Sequence, residues 1–209
     1  MIRKSIAVVV FVMVCAPAFG QVKVFVTSQT YTGRLFSFVG ADAVCDNLAF
    51  QAGLSTDVGE WKAWLSTSQV DARDRMIDAR YELLDGTVIA DSLADLTDGT
   101  LDAPINLDEN LATVTTNPDV WTGTAFDGTW GTAGASTCPI FDPVERPWMS
   151  EDPARFGGIG RATEMDAGWT RFGGGGNPCD SDNRLYCFFG TFADDFESGD
   201  TSAWSSTVP

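Results

Sequence analysis

The stretch of sequence that carries most information about the fold is Cys179-Asp180-Ser181-Asp182-Asn183-Arg184-Leu185-Tyr186-Cys187-Phe188-Phe189. Its second half, from Arg184 to Phe189, is rich in large apolar residues and predicts a last strand in the core. Its two cysteines lie eight positions apart, and Cys45 and Cys138 are the other cysteines after residue 20. In an exported chain these four cysteines predict two disulfide bonds, and spacing alone leaves all three pairings open.

Upstream of this stretch, the chain predicts one strand followed by one main helix. From Gln21 to Ser28, valines at every second position have the period of a half-buried strand. The helix is predicted to open at Gly40-Ala41-Asp42 and to stop at Gly53. Cys45 falls on the apolar face of this helix, so its disulfide partner is expected in the core.

Shorter patterns indicate the remaining elements. Asp85-Gly86, between two apolar runs, predicts a hairpin from Tyr81 to Ala90 whose turn has positive φ angles. Other segments are predicted as a strand (Trp61 to Ser66), short helical pieces (Asp71 to Met76, Ser92 to Leu96) and short extended pieces (Pro104 to Asn106, Val120 to Thr122, Trp169 to Phe172). Trp61, Trp121 and Trp169 are assigned to the core. Between Gly123 and Gly176 the chain is predicted to be mostly loop.

Both ends of the chain differ in composition from the middle. Residues 1–20 predict a cleaved signal peptide, with Arg3 and Lys4 before a short apolar run and small residues before a cut after Gly20. An uncleaved membrane anchor is the weaker interpretation, because the run is too short to span a bilayer. Residues 191–209 form an acidic tail with too few apolar residues to fold alone. The folded domain is therefore expected over residues 21–190.

The charge balance excludes several classes of function. The chain has 29 acidic against 13 basic side chains and no histidine. Such a surface repels nucleic acids and anionic lipids, so neither is expected as a partner. Without histidine, neither a Ser-His nor a Cys-His nucleophile exists. A glycan hydrolase that uses a pair of carboxylates is kept as a remote alternative.

Several motifs, taken in chain order, resemble the endostatin domain and the C-type-lectin-like fold, as found in bacterial secreted proteins of unassigned function. The motifs are Gly40-Ala41-Asp42 with Cys45, Ala52-Gly53-Leu54, Ala63-Trp64-Leu65-Ser66, Ala103-Pro104-Ile105-Asn106-Leu107, Val120-Trp121-Thr122-Gly123, Cys138 with Trp148, and the closing pair Cys179 and Cys187. The resemblance covers about Val24 to Phe189. It implies an α+β domain with a mixed, mainly antiparallel sheet, one main helix and a long irregular loop region.

The resemblance also implies nested disulfides, Cys45 with Cys187 and Cys138 with Cys179. The functions known for such domains do not transfer directly. Zinc binding by histidines is absent because the chain has none, and its acidity opposes binding of polysulfated glycans. The tripeptides with which C-type lectins hold calcium and sugar, Glu-Pro-Asn or Gln-Pro-Asp and Trp-Asn-Asp, are also missing.

Two sets of candidate site residues remain. The pairing of Cys138 with Cys179 would gather oxygen ligands suited to calcium, namely Asp142, Glu145, Glu151, Asp152, Asp180, Asp182 and Asn183. The alternative is that these are solvated loop carboxylates. Trp130 and Trp148 are candidates for a ligand face, and the alternative for them is a role as buried loop anchors.

These patterns predict a secreted or cell-surface binding module rather than an enzyme. It is expected to recognise an extracellular glycan or protein through its loop region between Gly123 and Asn183, with calcium as an optional aid. A structural or assembly role at the cell surface is the alternative. The sequence leaves the ligand and the oligomeric state open.

Overall fold

The structure is a computed structural model that describes residues 21–56, 59–130, 137–141 and 143–190. The predicted signal peptide and the predicted acidic tail lie outside the described residues. The elements, in chain order, are β1 (Gln21–Val26), α1 (Ser37–Gln51), β2 (Trp61–Ala63), a 3-10 helix (Arg73–Arg75), β3 (Arg80–Leu83), β4 (Val88–Ala90), α2 (Leu93–Leu96), β5 (Asp119–Trp121), β6 (Ile140–Phe141), β7 (Glu145–Arg146), β8 (Phe156–Gly157), β9 (Ile159–Arg161), a second 3-10 helix (Ala167–Trp169), β10 (Asn177–Pro178) and β11 (Tyr186–Phe189).

The central feature is a five-stranded sheet with the strand order β2-β11-β1-β3-β4. Strands β1 and β3 are parallel, and the other neighbours are antiparallel. Together with the main helix α1, this confirms the predicted α+β class and the mixed, mainly antiparallel sheet. The last strand, predicted from Arg184 to Phe189, is β11 and lies between β2 and β1.

Apolar clusters cover both faces of this sheet. The valines of β1 lie in one cluster with Tyr81 and Phe188, whereas Phe25 lies in the other cluster with α1. The alternation predicted for β1 is present from Gln21 to Val24, but Phe25 is also fully buried, with its ring centre 4.8 Å from that of Trp61, so the end of the strand is buried on both faces. The assignment of Trp61, Trp121 and Trp169 to the core is confirmed.

Helix α1 protects the edge of the sheet that is formed by β2. It begins at Ser37, before the predicted start at Gly40, and Gly53 at φ 71° follows its end as predicted. Asp42 and Asp46, one turn apart, each accept a backbone N–H from edge strand β2 at 2.9 Å. These carboxylates satisfy donors that would otherwise be open to pairing with another strand.

Three local predictions need correction. The strand predicted from Trp61 to Ser66 ends at Ala63, since the Ser66 N–H leaves the sheet and bonds the Thr122 carbonyl at 2.9 Å. The segment from Trp169 to Phe172 is not an extended piece, because Ala167–Trp169 forms a 3-10 turn in which the Gly168 N–H donates to the Asp166 side chain. In the confirmed hairpin, Gly86 has positive φ but Asp85 does not.

Two other short predictions have mixed outcomes. The residues from Pro104 to Asn106 form a tight turn, in which the Asn106 N–H bonds the Pro104 carbonyl at 2.9 Å, and not an extended piece. The helical turn predicted from Ser92 to Leu96 is confirmed as α2, with the Ser92 side chain accepting the Asp95 N–H. A serine at this position is a typical N-cap because its hydroxyl satisfies a helix N–H.

Both disulfides are nested, as the resemblance implies. Cys45–Cys187 joins α1 to β11, and Cys138–Cys179 lies inside the segment that the first bond encloses. Two disulfides are typical of proteins that fold in an oxidising, extracytoplasmic compartment. Within the described residues, no helix combines the length and the apolar character needed to cross a bilayer.

A buried arginine ties the end of β1 to a distant loop. Arg184 donates hydrogen bonds at 2.6 to 3.3 Å to four backbone carbonyls, those of Thr27, Ser28, Thr116 and Asn117. Burial lowers the pKa of this guanidinium, while nearby carboxylates oppose the shift. Because arginine stays protonated at neutral pH, the four bonds are charge-assisted and hold the loop in place.

Candidate functional site

The candidate site surrounds the disulfide Cys138–Cys179, in the loop region that the sequence predicts as the binding region. The Cys138 N–H bonds the Phe156 carbonyl at 3.1 Å, and the Cys179 N–H bonds the Arg155 carbonyl at 2.9 Å. Gly33 also approaches this disulfide so closely that an added Cβ would lie 2.2 Å from the Cys138 sulfur. Segments from four parts of the chain, around Gly33, Cys138, Arg155 and Cys179, therefore meet at one covalent bond.

The backbone at this meeting point is strained. Six non-glycine residues among those described have positive φ, and four of them belong to this region: Phe36, Ser37, Cys138 and Trp148. The Ser37 N–H bonds the Trp148 carbonyl at 3.3 Å, so the strained residues are neighbours in space. Such conformations cost on the order of 1–3 kcal/mol each, and they cluster at functional sites.

An exposed phenylalanine projects from the first strained segment. The Phe36 side chain is 56% exposed, and the Arg34 guanidinium lies 5.0 Å from the centre of its ring. Arg34 in turn lies 3.9 Å from a carboxylate oxygen of Glu151, which also accepts a hydrogen bond from the Thr32 hydroxyl at 3.0 Å. A carboxylate, an arginine and an aromatic ring thus stand side by side at the surface.

A second group of the same composition lies in the same loop region. Phe141 is 63% exposed, and the Arg155 guanidinium lies 5.5 Å from its ring centre. Arg155 lies 3.5 Å from a carboxylate oxygen of Asp152 and donates to the Pro139 carbonyl at 2.7 Å. Because Glu151 and Asp152 are adjacent in sequence, the two groups share one anchoring segment.

Two further apolar side chains complete this surface. Val144, in the connection between β6 and β7, is 65% exposed, and Phe156 in β8 is 43% exposed. We call the whole set the loop face; it consists of Arg34, Phe36, Phe141, Val144, Arg155 and Phe156. Single exposed apolar residues are ordinary, whereas contiguous apolar patches are typical of interaction surfaces.

The prediction that Trp148 contacts a ligand is wrong. Its side chain is fully buried, its indole N–H donates to the Ser66 carbonyl at 2.8 Å, and its ring packs 5.8 Å from that of Trp121. Gly123 lies against this indole, which leaves no room for a ligand. Trp148 is therefore an anchor beneath the loops.

Trp130 lies outside the loop face. Its backbone N–H donates to Asp71 at 2.6 Å and its backbone pairs with Thr124, which places it beside the first 3-10 helix. Its side chain is half-buried, and its indole nitrogen is buried without a hydrogen-bond partner. Its predicted role in ligand binding stays a prediction.

The predicted calcium ligands do not come together in the described part of the chain. Asp142 lies outside the described residues. Among the others, Asp152 is paired with Arg155, and Asn183 is buried with its side-chain oxygen accepting from Asn177 at 3.1 Å. The described residues contain no group of three or more Asp, Glu, Cys or His side chains that could hold a metal ion. Because Asp142 is not among the described residues, the predicted calcium site as a whole stays a prediction.

A separate apolar surface lies on the outer side of α1. A cavity of about 280 Å³ there is lined by Ala43, Asp46, Asn47 and Phe50. Phe50 is 59% exposed, about as much as Phe36 at the other end of the same helix. The two phenylalanines are about 21 Å apart along a helix that rises 1.5 Å per residue. Phe50 therefore offers an exposed phenylalanine away from the loop face.

Comparison with known proteins adds no identification. No protein-family model matches the sequence, and no curated protein matches it either.

Proposed function

We propose that this protein is a secreted, non-catalytic binding module that recognises an extracellular glycan or protein through the loop face. The observation that carries this proposal is the group of exposed apolar side chains around the buried disulfide Cys138–Cys179. Exposed apolar side chains lose contact with water when a partner covers them, and this is the main driving force of association.

The composition of the loop face also favours recognition. Aromatic residues and arginine are enriched among the residues that dominate binding energy at protein surfaces. Here Phe36 and Phe141 each have an arginine beside the ring, and a carboxylate oxygen lies 3.9 Å from Arg34 and 3.5 Å from Arg155.

We propose the C-type-lectin-like, endostatin-like fold for the domain. The proposal rests on the resemblance of the motifs and is supported by the main helix, the mixed sheet and the nested disulfides. In this assignment the loop face corresponds to the long irregular region of the domain. An experimental structure in which the helix and the sheet pack differently would contradict it.

Calcium is not part of the proposed mechanism, because the described candidate ligands do not converge. A melting curve with millimolar calcium and with a chelator tests this point directly. A ligand that binds only the native state raises the melting temperature by mass action. An unchanged curve is expected, whereas a rise in calcium would restore the predicted calcium site.

The binding function is tested with the full chain and two matched variants. The labelled protein is applied to a glycan array and to the extracellular proteins of the cells that export it. Binding is expected to be lost in Phe141→Ser and retained in Phe50→Ser, since both phenylalanines are exposed but only Phe141 belongs to the loop face. Equal binding by both variants would contradict the proposal.

A further inference from the structure

We propose a second binding site, for the hydroxyl groups of a neutral sugar, at a group of polar side chains beside the glycine run 173–176. We call this group the polar cluster; it consists of Asp119, Arg161, Asn177 and Asn183. None of these residues belongs to the loop face, so the inference goes beyond the proposed function and does not depend on it.

Direct contacts join all four side chains of the polar cluster. The Arg161 Nε–H donates to one Asp119 carboxylate oxygen at 2.9 Å, and the Asn177 amide donates to the other oxygen at 3.2 Å. The same Asn177 amide donates to the side-chain oxygen of Asn183 at 3.1 Å. Asp119 and Arg161 are also backbone partners in β5 and β9, and Asn177 belongs to β10. Three short strands and the segment before β11 therefore bring these groups to one place.

The amide of Asn183 is the observation that points to a ligand. The residue is 3% exposed, and its side-chain nitrogen is buried without a hydrogen-bond partner in the described part of the chain. Turning the amide over would place its NH₂ against the NH₂ of Asn177 and lose the bond between them. Buried donors in proteins nearly always have an acceptor. This donor therefore indicates an acceptor that comes from outside the chain.

Arg161 and Asn177 are fixed in position by contacts within the fold. The Arg161 guanidinium lies 3.7 Å from the centre of the Phe172 ring, in addition to its ion pair. Gly176, the neighbour of Asn177, has φ 69° and lies so close to β8 that an added Cβ would be 2.1 Å from the Gly157 carbonyl oxygen. Side chains whose positions are fixed beforehand lose less conformational entropy on binding.

The polar cluster is partly exposed, and the segment that borders it has no side chains. The side chains of Arg161 and Asp119 are 32% and 25% exposed. The glycines at 173–175 link Phe172 to the segment of Asn177, and a Cβ added at any of them would meet no atom within 4 Å. No side chain of this segment therefore stands between the polar cluster and a ligand.

The charges and the hydrogen-bonding groups of the polar cluster match a neutral sugar. Arg161 and Asp119 neutralise each other, and the net charge of −16 on the chain opposes an anionic ligand. The polar cluster combines donors and acceptors within hydrogen-bond distance of one another. A hydroxyl both donates and accepts through one atom, so two neighbouring hydroxyls of a sugar can bind such a compact group. A peptide N–H, in contrast, only donates, and a peptide carbonyl only accepts.

The experiment titrates the isotope-labelled full chain with the methyl glycosides of glucose, galactose, mannose and N-acetylglucosamine and follows the side-chain amide signals by NMR. The signals of Asn177 and Asn183 are expected to shift in a saturable manner with at least one glycoside. Asn177→Ala is expected to bind that glycoside at least about fivefold more weakly, because one hydrogen bond is lost. Two controls should bind it as the wild type does: Asn47→Ala, which removes an exposed amide on α1, and Phe141→Ser on the loop face.

Deoxy forms of the bound glycoside test the same contacts without any change in the protein. Removal of a hydroxyl that contacts the polar cluster is expected to weaken binding to the wild type by at least about tenfold, because a polar group of the site is then left unpaired. The inference is overturned if no glycoside shifts these amide signals, or if Asn177→Ala and Asn47→Ala bind equally. It is also overturned if a neutral peptide of glycine and serine shifts the signals and the glycosides do not.

The two binding sites fail or succeed separately. Phe141→Ser changes the loop face and leaves the polar cluster intact, whereas Asn177→Ala does the reverse. An absence of sugar binding at the polar cluster therefore leaves the proposed function of the loop face standing.

Discussion

Removing the disulfide Cys138–Cys179 by replacing both cysteines with alanine is the most direct test of how the loop face is held. The bond joins residues 41 positions apart. In the chain-entropy description, a loop of this length stabilises the folded state by about 4 kcal/mol, because the closed loop restricts the unfolded chain. For Cys45–Cys187, with a separation of 142 residues, the same relation gives about 5 kcal/mol.

The effect of removing Cys138–Cys179 is expected to appear in two measurements. Denaturant unfolding of the oxidised wild type and of the double alanine variant gives the difference in the free energy of unfolding. Hydrogen exchange should then show lost protection around Phe156, whose carbonyl accepts the Cys138 N–H, and little change in the central strand β1. Alanine is chosen because it places no unpaired hydroxyl group at these fully buried positions.

A double variant of the other disulfide, Cys45→Ala with Cys187→Ala, is the control. It is expected to weaken protection in α1 and β11, which that bond joins. The reasoning would be refuted if the Cys138 and Cys179 variant lost less than about 1 kcal/mol of stability, well below the range measured for native disulfides. It would also be refuted if the loop face kept full protection and full binding.

Two further substitutions test the packing beneath the loop face. Gly33→Ala is expected to destabilise the fold by about 1–3 kcal/mol, since its Cβ would lie 2.2 Å from the Cys138 sulfur. Gly174→Ala is the control, because a Cβ at Gly174 would have no neighbouring atom within 4 Å, and it should change stability by less than about 0.5 kcal/mol. Equal unfolding midpoints for these two variants would contradict the close contact between Gly33 and the Cys138 sulfur. Trp148→Ala is expected to lower the free energy of unfolding by about 3–5 kcal/mol, as for other buried aromatic residues. A Trp148→Ala variant of native stability that had lost binding would instead restore Trp148 as a ligand contact.

Local patterns in the sequence predicted those elements whose apolar periodicity or turn residues lie within the segment itself. The alternation in β1, the apolar face of α1 with its glycine stop, and the hairpin around Asp85-Gly86 are all present. Prediction was less accurate where a backbone group forms its hydrogen bond with a residue that is distant in the sequence. The strand after Trp61 ends early because Ser66 bonds to Thr122, and no local feature of the sequence indicates that contact.

The proposed loop face lies only partly in the predicted binding region, since Arg34 and Phe36 come before Gly123, and its binding role stays a prediction. Sequence reasoning selected the loop region and its tryptophans, whereas the exposed residues are phenylalanines and a valine. A signal was present, because Phe141 and Val144 stand among prolines and charged residues, where a core position is unexpected. Phe36 had no such signal in the sequence, and the structure gives it and Ser37 positive φ angles.

The sequence by itself determined the first and last strands, the hairpin around Asp85-Gly86, the segment that forms the main helix, and the four cysteines that are available for disulfide bonds. Only the tertiary structure decided that Trp148 is an anchor and that Thr32, Arg34 and Glu151 meet, although Thr32 and Glu151 are 119 residues apart. The physical reason is that periodicity reports which side of a segment is apolar, whereas exposure depends on which distant segment covers that side. For the loop face, the covering segments are brought together by the disulfide Cys138–Cys179.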